Sequence, residues 1–286
     1  MSIAPERSQL VFEKTERDLQ RLCGDQRPET VHSYRTTTRR LRTLLEDLLP
    51  ERDRNQKKLL KMLGRIRKRA GRVRDLDVQL SALRSLKIPQ EPRRKTQLVQ
   101  GLLELRAQNE RKLCKTLSKE KIREIRKRLR RASKEVSLET NRDPLTIAKE
   151  MLTQVSRPSE PLTEAVLHQY RIVVKRARYA AEFAPKSAEG TRFITELKRL
   201  QDAVGNWHDW LTLTESAAER LGDINQSSLV AAIHNVTGAK FRHAVAAVAA
   251  SPNTRTGLKT VSSAAEPLRK ASTKATPDKD RTSSAA

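Results

Sequence analysis

Aromatic side chains are scarce in this 286-residue sequence, where they make up 3% of the residues. Single-stranded nucleic acids are usually held by bases that stack on aromatic rings, so the chain has little material for such platforms. Cysteine occurs only twice, as Cys23 and Cys114. The two cysteines have no CxxC spacing and no histidine cluster beside them, which predicts reduced thiols rather than a disulfide framework or a zinc site.

The sequence also lacks the signals of membrane insertion and of several enzyme classes. No run of about 18 apolar residues occurs and the N-terminal residues contain no apolar signal-peptide segment, so we expect a cytoplasmic protein without a membrane span. The motifs GxxxxGK[ST], HExxH and GxGxxG after a strand are absent. No pair of catalytic carboxylates is evident. The sequence therefore predicts a binding protein that is not an enzyme and uses no cofactor or metal.

Positive charge is what the sequence has in excess. Its 59 lysines and arginines outnumber 34 aspartates and glutamates, giving a formal net charge of +25. Such an excess destabilises a compact fold by self-repulsion when no negative ligand is present. Nucleic acid, inorganic polyphosphate and an anionic membrane surface are the candidate partners.

Composition and apolar periodicity predict an all-α fold, because glycine is infrequent and helix-forming residues dominate. The expected helices span about residues 5–24, 28–50, 53–87, 92–131, 144–155, 161–184, 190–221 and 225–250. Short connections favour antiparallel bundles, the first in residues 1–140 and the second in 141–250. Residues 251–286 lose the periodicity and are expected to form a disordered basic tail.

One pattern, rich in cations, occurs twice. Residues 31–48 read VHSYRTTTRRLRTLLEDL, and residues 167–184 read LHQYRIVVKRARYAAEFA. In the ungapped alignment Lys175 takes the place of Arg39. The identical pairs are His32/His168, Tyr34/Tyr170, Arg35/Arg171, Arg40/Arg176, Arg42/Arg178 and Glu46/Glu182. The duplication implies two related halves that present positive charge in the same geometry.

Helical periodicity places the ionic residues of each copy on one side. A sector of about 80° on the first helix holds His32, Arg35, Arg39, Arg42 and Glu46. An apolar stripe that includes Tyr34 and Leu41 lies on the adjoining sector, where a helix usually meets the core. The cations are therefore expected to border a groove between helices, with Glu46 and Glu182 holding the arginines in place.

A second pair of segments supports the duplication. Residues 63–78 read LGRIRKRAGRVRDLDV, and residues 197–212 read LKRLQDAVGNWHDWLT. The shared positions are Leu63/Leu197, Arg65/Arg199, Gly71/Gly205 and Asp75/Asp209, and Arg74 faces His208. Both pairs keep the same order along the chain. From these segments Arg72, Arg74, Lys198 and His208 are added to the candidate binding residues, while Trp207 and Trp210 are expected to fill the second bundle.

The paired segments resemble the CHAD family, the conserved histidine α-helical domain, over about residues 5–250. This resemblance implies two antiparallel four-helix bundles related by pseudo-twofold symmetry. It also implies a basic surface at their junction that binds inorganic polyphosphate, with association to polyphosphate granules. The binding positions that it implies are His32, Arg35, Arg39, Arg40, Arg42, His168, Arg171, Lys175, Arg176 and Arg178. The second copy departs from the pattern at Ala177, and its GNWHD segment lacks the arginine of the first.

Two other functions stay open on the residues alone. The charge permits nucleic-acid binding of low specificity, although no helix-turn-helix or RNA-binding signature is present. A histidine-dependent phosphohydrolase would use His32 or His168, but a positioned acid–base partner is not legible. Asp75, Asp77 and Asp209 either orient arginines, which is the favoured interpretation, or hold Mg²⁺.

Overall fold

The computed structural model describes residues 3–49, 51–87, 91–135, 143–155, 162–222 and 224–251, and every regular element in them is helical. Helices α1 to α5 are Pro5–Gly24, Pro28–Thr43, Arg54–Ser85, Pro92–Cys114 and Lys119–Glu135. Helices α6 to α9 are Pro144–Thr153, Glu164–Ala181, Ala188–Leu221 and Ser228–Ala249. The all-α prediction is thereby confirmed for these residues. The expected boundary at 140/141 and the tail after Ser251 lie outside them.

Local sequence signals set where the helices begin. Proline occupies the first turn of α1, α2, α4 and α6, where its missing N–H costs nothing. At the start of α3 the carboxylate of Asp53 accepts a hydrogen bond from the backbone N–H of Gln56 at 2.7 Å. Ser187 accepts one from Gly190 at 3.0 Å at the start of α8. These caps satisfy amides that lack a partner inside the helix.

The predicted helix over 92–131 is wrong, because residues 115–118 divide it into α4 and α5. The hydroxyl of Thr116 donates to the carbonyl of Leu113 at 2.6 Å and so closes the end of α4. Ser118 accepts from the backbone N–H of Lys121 at 3.4 Å and begins α5. The break allows α4 to pack on one end of α3, while α5 packs on the other end and on α1.

The second predicted helix changes its hydrogen-bond pattern before its expected end near residue 50. Leu44–Leu48 form a π-helical turn directly after α2. Leu44, Leu45 and Leu48 are buried in this turn. Glu46 and Asp47 lie between them and contact arginines, and the side chain of Asp47 is only 7% exposed.

The first three helices of each half pack in the same order, but the last helix of each half packs differently. In the first half, α1 packs on α2, α2 on α3, and α5 on both α1 and α3. In the second half, α6 packs on α7, α7 on α8, and α9 on both α7 and α8. The halves meet where α2 packs on α7 and α3 packs on α8. These contacts bring the two copies of the cationic pattern to one junction.

Two apolar cores lie along the long helices α3 and α8. The main core takes Leu59 to Val73 of α3 and Phe193 to Trp207 of α8. It also takes the buried faces of α1, α2, α5, α6 and α7, together with Leu113 of α4 and the end of α9. The distal core takes residues 76–83 of α3 and 210–217 of α8, together with α4 and the start of α9. Trp207 is fully buried in the main core, and Trp210 lies in the distal core. Both tryptophans are buried, as expected, but Trp210 packs in a core shared with α3 and α4 and not in the second half alone.

Candidate functional site

α2 and α3 place an arginine of the first repeat at the junction. Arg35 lies across α3 with its guanidinium 3.5 Å from the carboxylate of Asp75, and its side chain is only 12% exposed. A Cβ atom at Gly71 would come within 2.7 Å of Arg35 Nη1, so the missing side chain makes room for the guanidinium. Burial, together with the charges of Arg39 and Arg67, lowers the pKa of Arg35 to about 10 even though Asp75 opposes the shift.

α7 and α8 supply the matching groups of the second half. Arg171 and Lys175 lie one turn apart on α7. The ring of His168 lies beside that of His208 from α8, with 5.3 Å between the centroids. Burial, together with the charges of Arg171 and Arg39, lowers the pKa of Lys175 to about 7. Since Arg39 belongs to α2, the two repeats share one electrostatic environment.

We name this set of side chains the junction cluster, because it lies where α2 meets α7 and α3 meets α8. Its members are Arg35, Arg39, Arg74, Asp75, His168, Arg171, Lys175, His208 and Asp209. Five basic side chains therefore face two carboxylates. Burial raises the pKa of Asp209, although nearby Arg171 and Lys175 act in the opposite direction. The cluster keeps a positive balance.

His208, which belongs to the cluster, and His32, which lies beside it, have neutral rings at neutral pH. Burial and the positive charge of Arg171 lower the pKa of His208 to about 4. Partial burial and the charge of Arg74 also lower the pKa of His32, whose ring lies at the exposed edge of the site. A neutral imidazole still offers one N–H donor to an anion.

Several buried polar atoms of the cluster have no hydrogen-bond partner among the described residues. They are Arg35 Nη1, Arg171 Nε and His208 Nδ1. A buried donor that stays unpaired costs roughly 1–3 kcal/mol, and more when its group is charged. All three atoms have almost no exposed surface, so a ligand oxygen would reach them only after neighbouring side chains move.

Arg40 and Arg176, which occupy matching positions of the repeat, bind carboxylates of the opposite half. Arg40 Nε lies 2.6 Å from Glu182 and its guanidinium stacks 5.6 Å from the ring centroid of Tyr179. Arg176 Nη2 lies 2.5 Å from Asp47. The structure therefore places both predicted binding residues outside the junction cluster, as ties between the halves.

Arg42 and Arg178 form the other matching pair, and both bind a glutamate one turn later on the same side. Arg42 contacts Glu46, and Arg178 lies 3.0 Å from Glu182. Arg178 also donates to Gln201 at 3.0 Å. The expectation that the two glutamates hold motif arginines is confirmed, and much of the charge of Arg178 is neutralised.

Two of the predicted binding residues lie away from the cluster, and one residue that the sequence analysis did not name lies next to it. Arg72 and Lys198 are exposed, and in the described part of the chain no hydrogen bond or ion pair joins them to the cluster. Arg67 of α3 is partly buried, and burial together with the charges of Arg39 and Arg42 lowers its pKa. Its spacing from Gly71 and Arg74 places it on the same face of α3, a signal that the sequence contained.

No helix in the described residues is long and apolar enough to cross a membrane. The same residues contain no group of three or more histidine, cysteine or acidic side chains arranged to hold a metal ion. Cys23 and Cys114 are both free thiols, as predicted.

The helices and the junction cluster together define an all-α protein whose two related halves meet at a strongly basic site. The chain belongs to the CHAD domain family, whose model matches residues 8–218. The crystal structure of the CHAD domain from the plant Ricinus communis has a similar fold, with a TM-score of 0.58 over 90% of this chain and 92% of that chain. The two sequences are 18% identical. No curated protein matches this chain.

Proposed function

We propose that this protein binds inorganic polyphosphate at the junction cluster without catalysing its breakdown or transfer. The observation that carries the proposal is the convergence of Arg35, Arg39, Arg171 and Lys175 from both repeats, with buried donors that lack partners. Guanidinium groups bind phosphate oxygens through paired N–H donors, and the lysine adds a point charge. A chain of phosphates supplies many oxygens and enough negative charge to offset the repulsion among these cations.

The arrangement of aromatic residues favours polyphosphate over nucleic acid. Tyr34, Tyr170 and Trp207 are buried, and the large apolar side chains exposed in the described residues are Leu10, Ile172 and Ile224. The site therefore presents cations without exposed rings on which bases could stack. A ligand that consists only of phosphates needs no such rings. We further propose that this binding places the protein on polyphosphate granules in the cytoplasm.

A competition experiment tests the proposed function. Labelled long-chain polyphosphate is bound to the protein at physiological salt, and unlabelled polyphosphate or duplex DNA is then added. We expect unlabelled polyphosphate to displace the label at a concentration of phosphate groups at least about tenfold lower than DNA. A flexible chain can bring its phosphates to several of the clustered cations at once, whereas the phosphates of a duplex are fixed along a stiff helix. Preferential displacement by DNA would favour the nucleic-acid function. Release of phosphate in the presence of Mg²⁺ or Mn²⁺, lost in His168→Ala, would overturn the non-catalytic proposal.

Replacing Gly71 by alanine is expected to weaken polyphosphate binding while leaving the fold at least as stable. The new Cβ would meet Arg35 Nη1 at 2.7 Å, so the flexible guanidinium has to move out of its place in the cluster. An alanine within a helix is more favourable than glycine by about 1 kcal/mol, which offsets the loss of the contact with Asp75. Isothermal titration calorimetry and thermal unfolding measure the two effects.

Gly205→Ala is the matched control, since Gly205 occupies the equivalent position on α8 and a Cβ there meets nothing within 4 Å. We expect it to gain the same helix stability and to keep the affinity of the original protein. Equal affinities of the two variants would show that the placement of Arg35 is unimportant for binding.

A further inference from the structure

A second basic pocket lies between α3 and α2 with the π-helical turn that follows it. Its lining includes Arg42, Arg52, Lys57, Lys61 and Arg67, with Glu46 as the one carboxylate. Glu46 contacts Arg42 and lies 3.2 Å from Arg52, so it is already shared by two arginines. Lys57 and Lys61 are exposed and, in the described residues, form no ion pair. The pocket therefore has a positive charge that its own residues do not neutralise.

Arg67 connects this pocket with the junction cluster. It lines the pocket, and it lies close enough to Arg39 of the cluster for the two charges to repel each other. Lys57, Lys61, Arg67 and Arg74 fall within a sector of about 140° around α3, and the first three line the pocket. From residue 57 to residue 74 this sector extends for about 25 Å at 1.5 Å per residue. The cations thus form a continuous path rather than two isolated patches.

The second half does not repeat this path. With the offset that aligns Gly71 with Gly205, the lysines at 57 and 61 correspond to Thr191 and Thr195, and Arg67 corresponds to Gln201. Lys198 is the one position in this stretch where α8 has a cation and α3 has none, since it aligns with Gly64. Arg178, which matches Arg42, is bound by both Glu182 and Gln201. The cations that lie beyond the junction cluster are therefore concentrated on the first half.

We propose that a bound polyphosphate chain continues from the junction cluster past Arg67 into the α2–α3 pocket, so that the chain leaves the site over the first half only. This inference rests on the proposed function and assigns the pocket as a second subsite for the same ligand. Two linked subsites bind a long chain more tightly than either does alone, because the second contact is intramolecular once the first has formed. A short phosphate oligomer gains nothing from the pocket, since it is far shorter than the path.

The test compares a Lys57→Ala/Lys61→Ala variant with a Lys58→Ala/Arg65→Ala variant. Both remove two exposed charges from α3, but Lys58 and Arg65 do not line the pocket. Affinities for long-chain polyphosphate and for tripolyphosphate are measured by calorimetry at several salt concentrations. We expect the pocket variant to bind the long chain about tenfold more weakly, with a salt slope reduced by about 1.4 for two lost phosphate contacts. Its affinity for tripolyphosphate is expected to stay within about twofold of the original protein.

Each remaining outcome counts against the pocket or against the function, and the two are distinguishable. If the pocket variant and the α3 control bind the long chain equally, the pocket is not a subsite. If the pocket variant loses tripolyphosphate affinity as strongly as long-chain affinity, it acts through overall charge, and the inference also fails. If the unaltered protein binds neither ligand, the proposed function itself is wrong.

Discussion

The Arg39→Glu variant is expected to bind polyphosphate at least about 100-fold more weakly than the unaltered protein. Hydrogen bonds to charged groups contribute roughly 1.5–3 kcal/mol each, and every 1.4 kcal/mol changes affinity tenfold. Arg39 lies among Arg35, Arg67, Arg171 and Lys175 and has no ion pair among the described residues. A glutamate there would remove one phosphate contact and pair with the cations that the ligand needs. Fluorescence anisotropy with a labelled polyphosphate measures the change.

Thermal unfolding of the same variant separates loss of binding from loss of structure. Because Arg39 is surrounded by like charges, its reversal relieves repulsion, and the midpoint of unfolding should stay constant or rise. Arg40→Glu is the control, since Arg40 is its neighbour in sequence but binds Glu182 of the other half. That control should lower the midpoint, because two carboxylates would then face each other across the halves. A lower midpoint for Arg39→Glu, with affinity unchanged, would contradict the proposed site.

The second large effect is a dependence of binding on pH above neutrality. Lys175 in the free protein has a pKa of about 7, and its surroundings are Arg171, Arg39, Arg35 and Asp209. A polyanion favours the charged amine, so binding above pH 7 has to take up a proton. We expect the affinity at pH 9 to be about tenfold or more below that at pH 6. Calorimetry in buffers of different ionisation enthalpy would detect the proton uptake directly.

The same shift has the opposite effect on the stability of the free protein. The folded-state pKa of Lys175 is lowered to about 7 from its ordinary value of 10.5, so between these values the unfolded chain binds more protons than the folded one. Stability without ligand should therefore rise with pH through this window. Polyphosphate should raise the melting temperature most at low pH. Lys175→Met is expected to bind weakly at all pH values with little pH dependence; an unchanged dependence would place the titrating group elsewhere.

The repeat was enough to predict which elements meet, because its spacing follows the helical period. Arg35 and Arg39 share a face with one another, and Arg171 and Lys175 occupy the same face of α7, so a contact between α2 and α7 brings all four together. Tyr34 and Tyr170 mark the buried side of the same helices. Periodicity of this kind predicts direction relative to a core, and in the structure these four cations of the two stripes lie near one another.

The motif did not reveal which of its arginines are neutralised. Arg40 follows Arg39 directly, yet it lies about 100° further around the helix and meets Glu182 from the opposite half. Glu182 is 142 positions away in the sequence, and no local sequence pattern predicts that the two residues pair. The break between α4 and α5 is different, because Thr116 and Ser118 are ordinary capping residues at a place where the apolar periodicity continues. At this place the apolar periodicity outweighed the capping residues, so the sequence analysis predicted one continuous helix.

The position of the junction cluster between the main core and the distal core has a consequence for ligand exchange. Residues just before it on α3 and α8 are anchored in the main core, and residues just after it are anchored in the distal core. Repulsion among these cations therefore acts on a segment that is anchored on both sides. If the protein binds polyphosphate as proposed, we expect it to keep its shape through repeated binding and release.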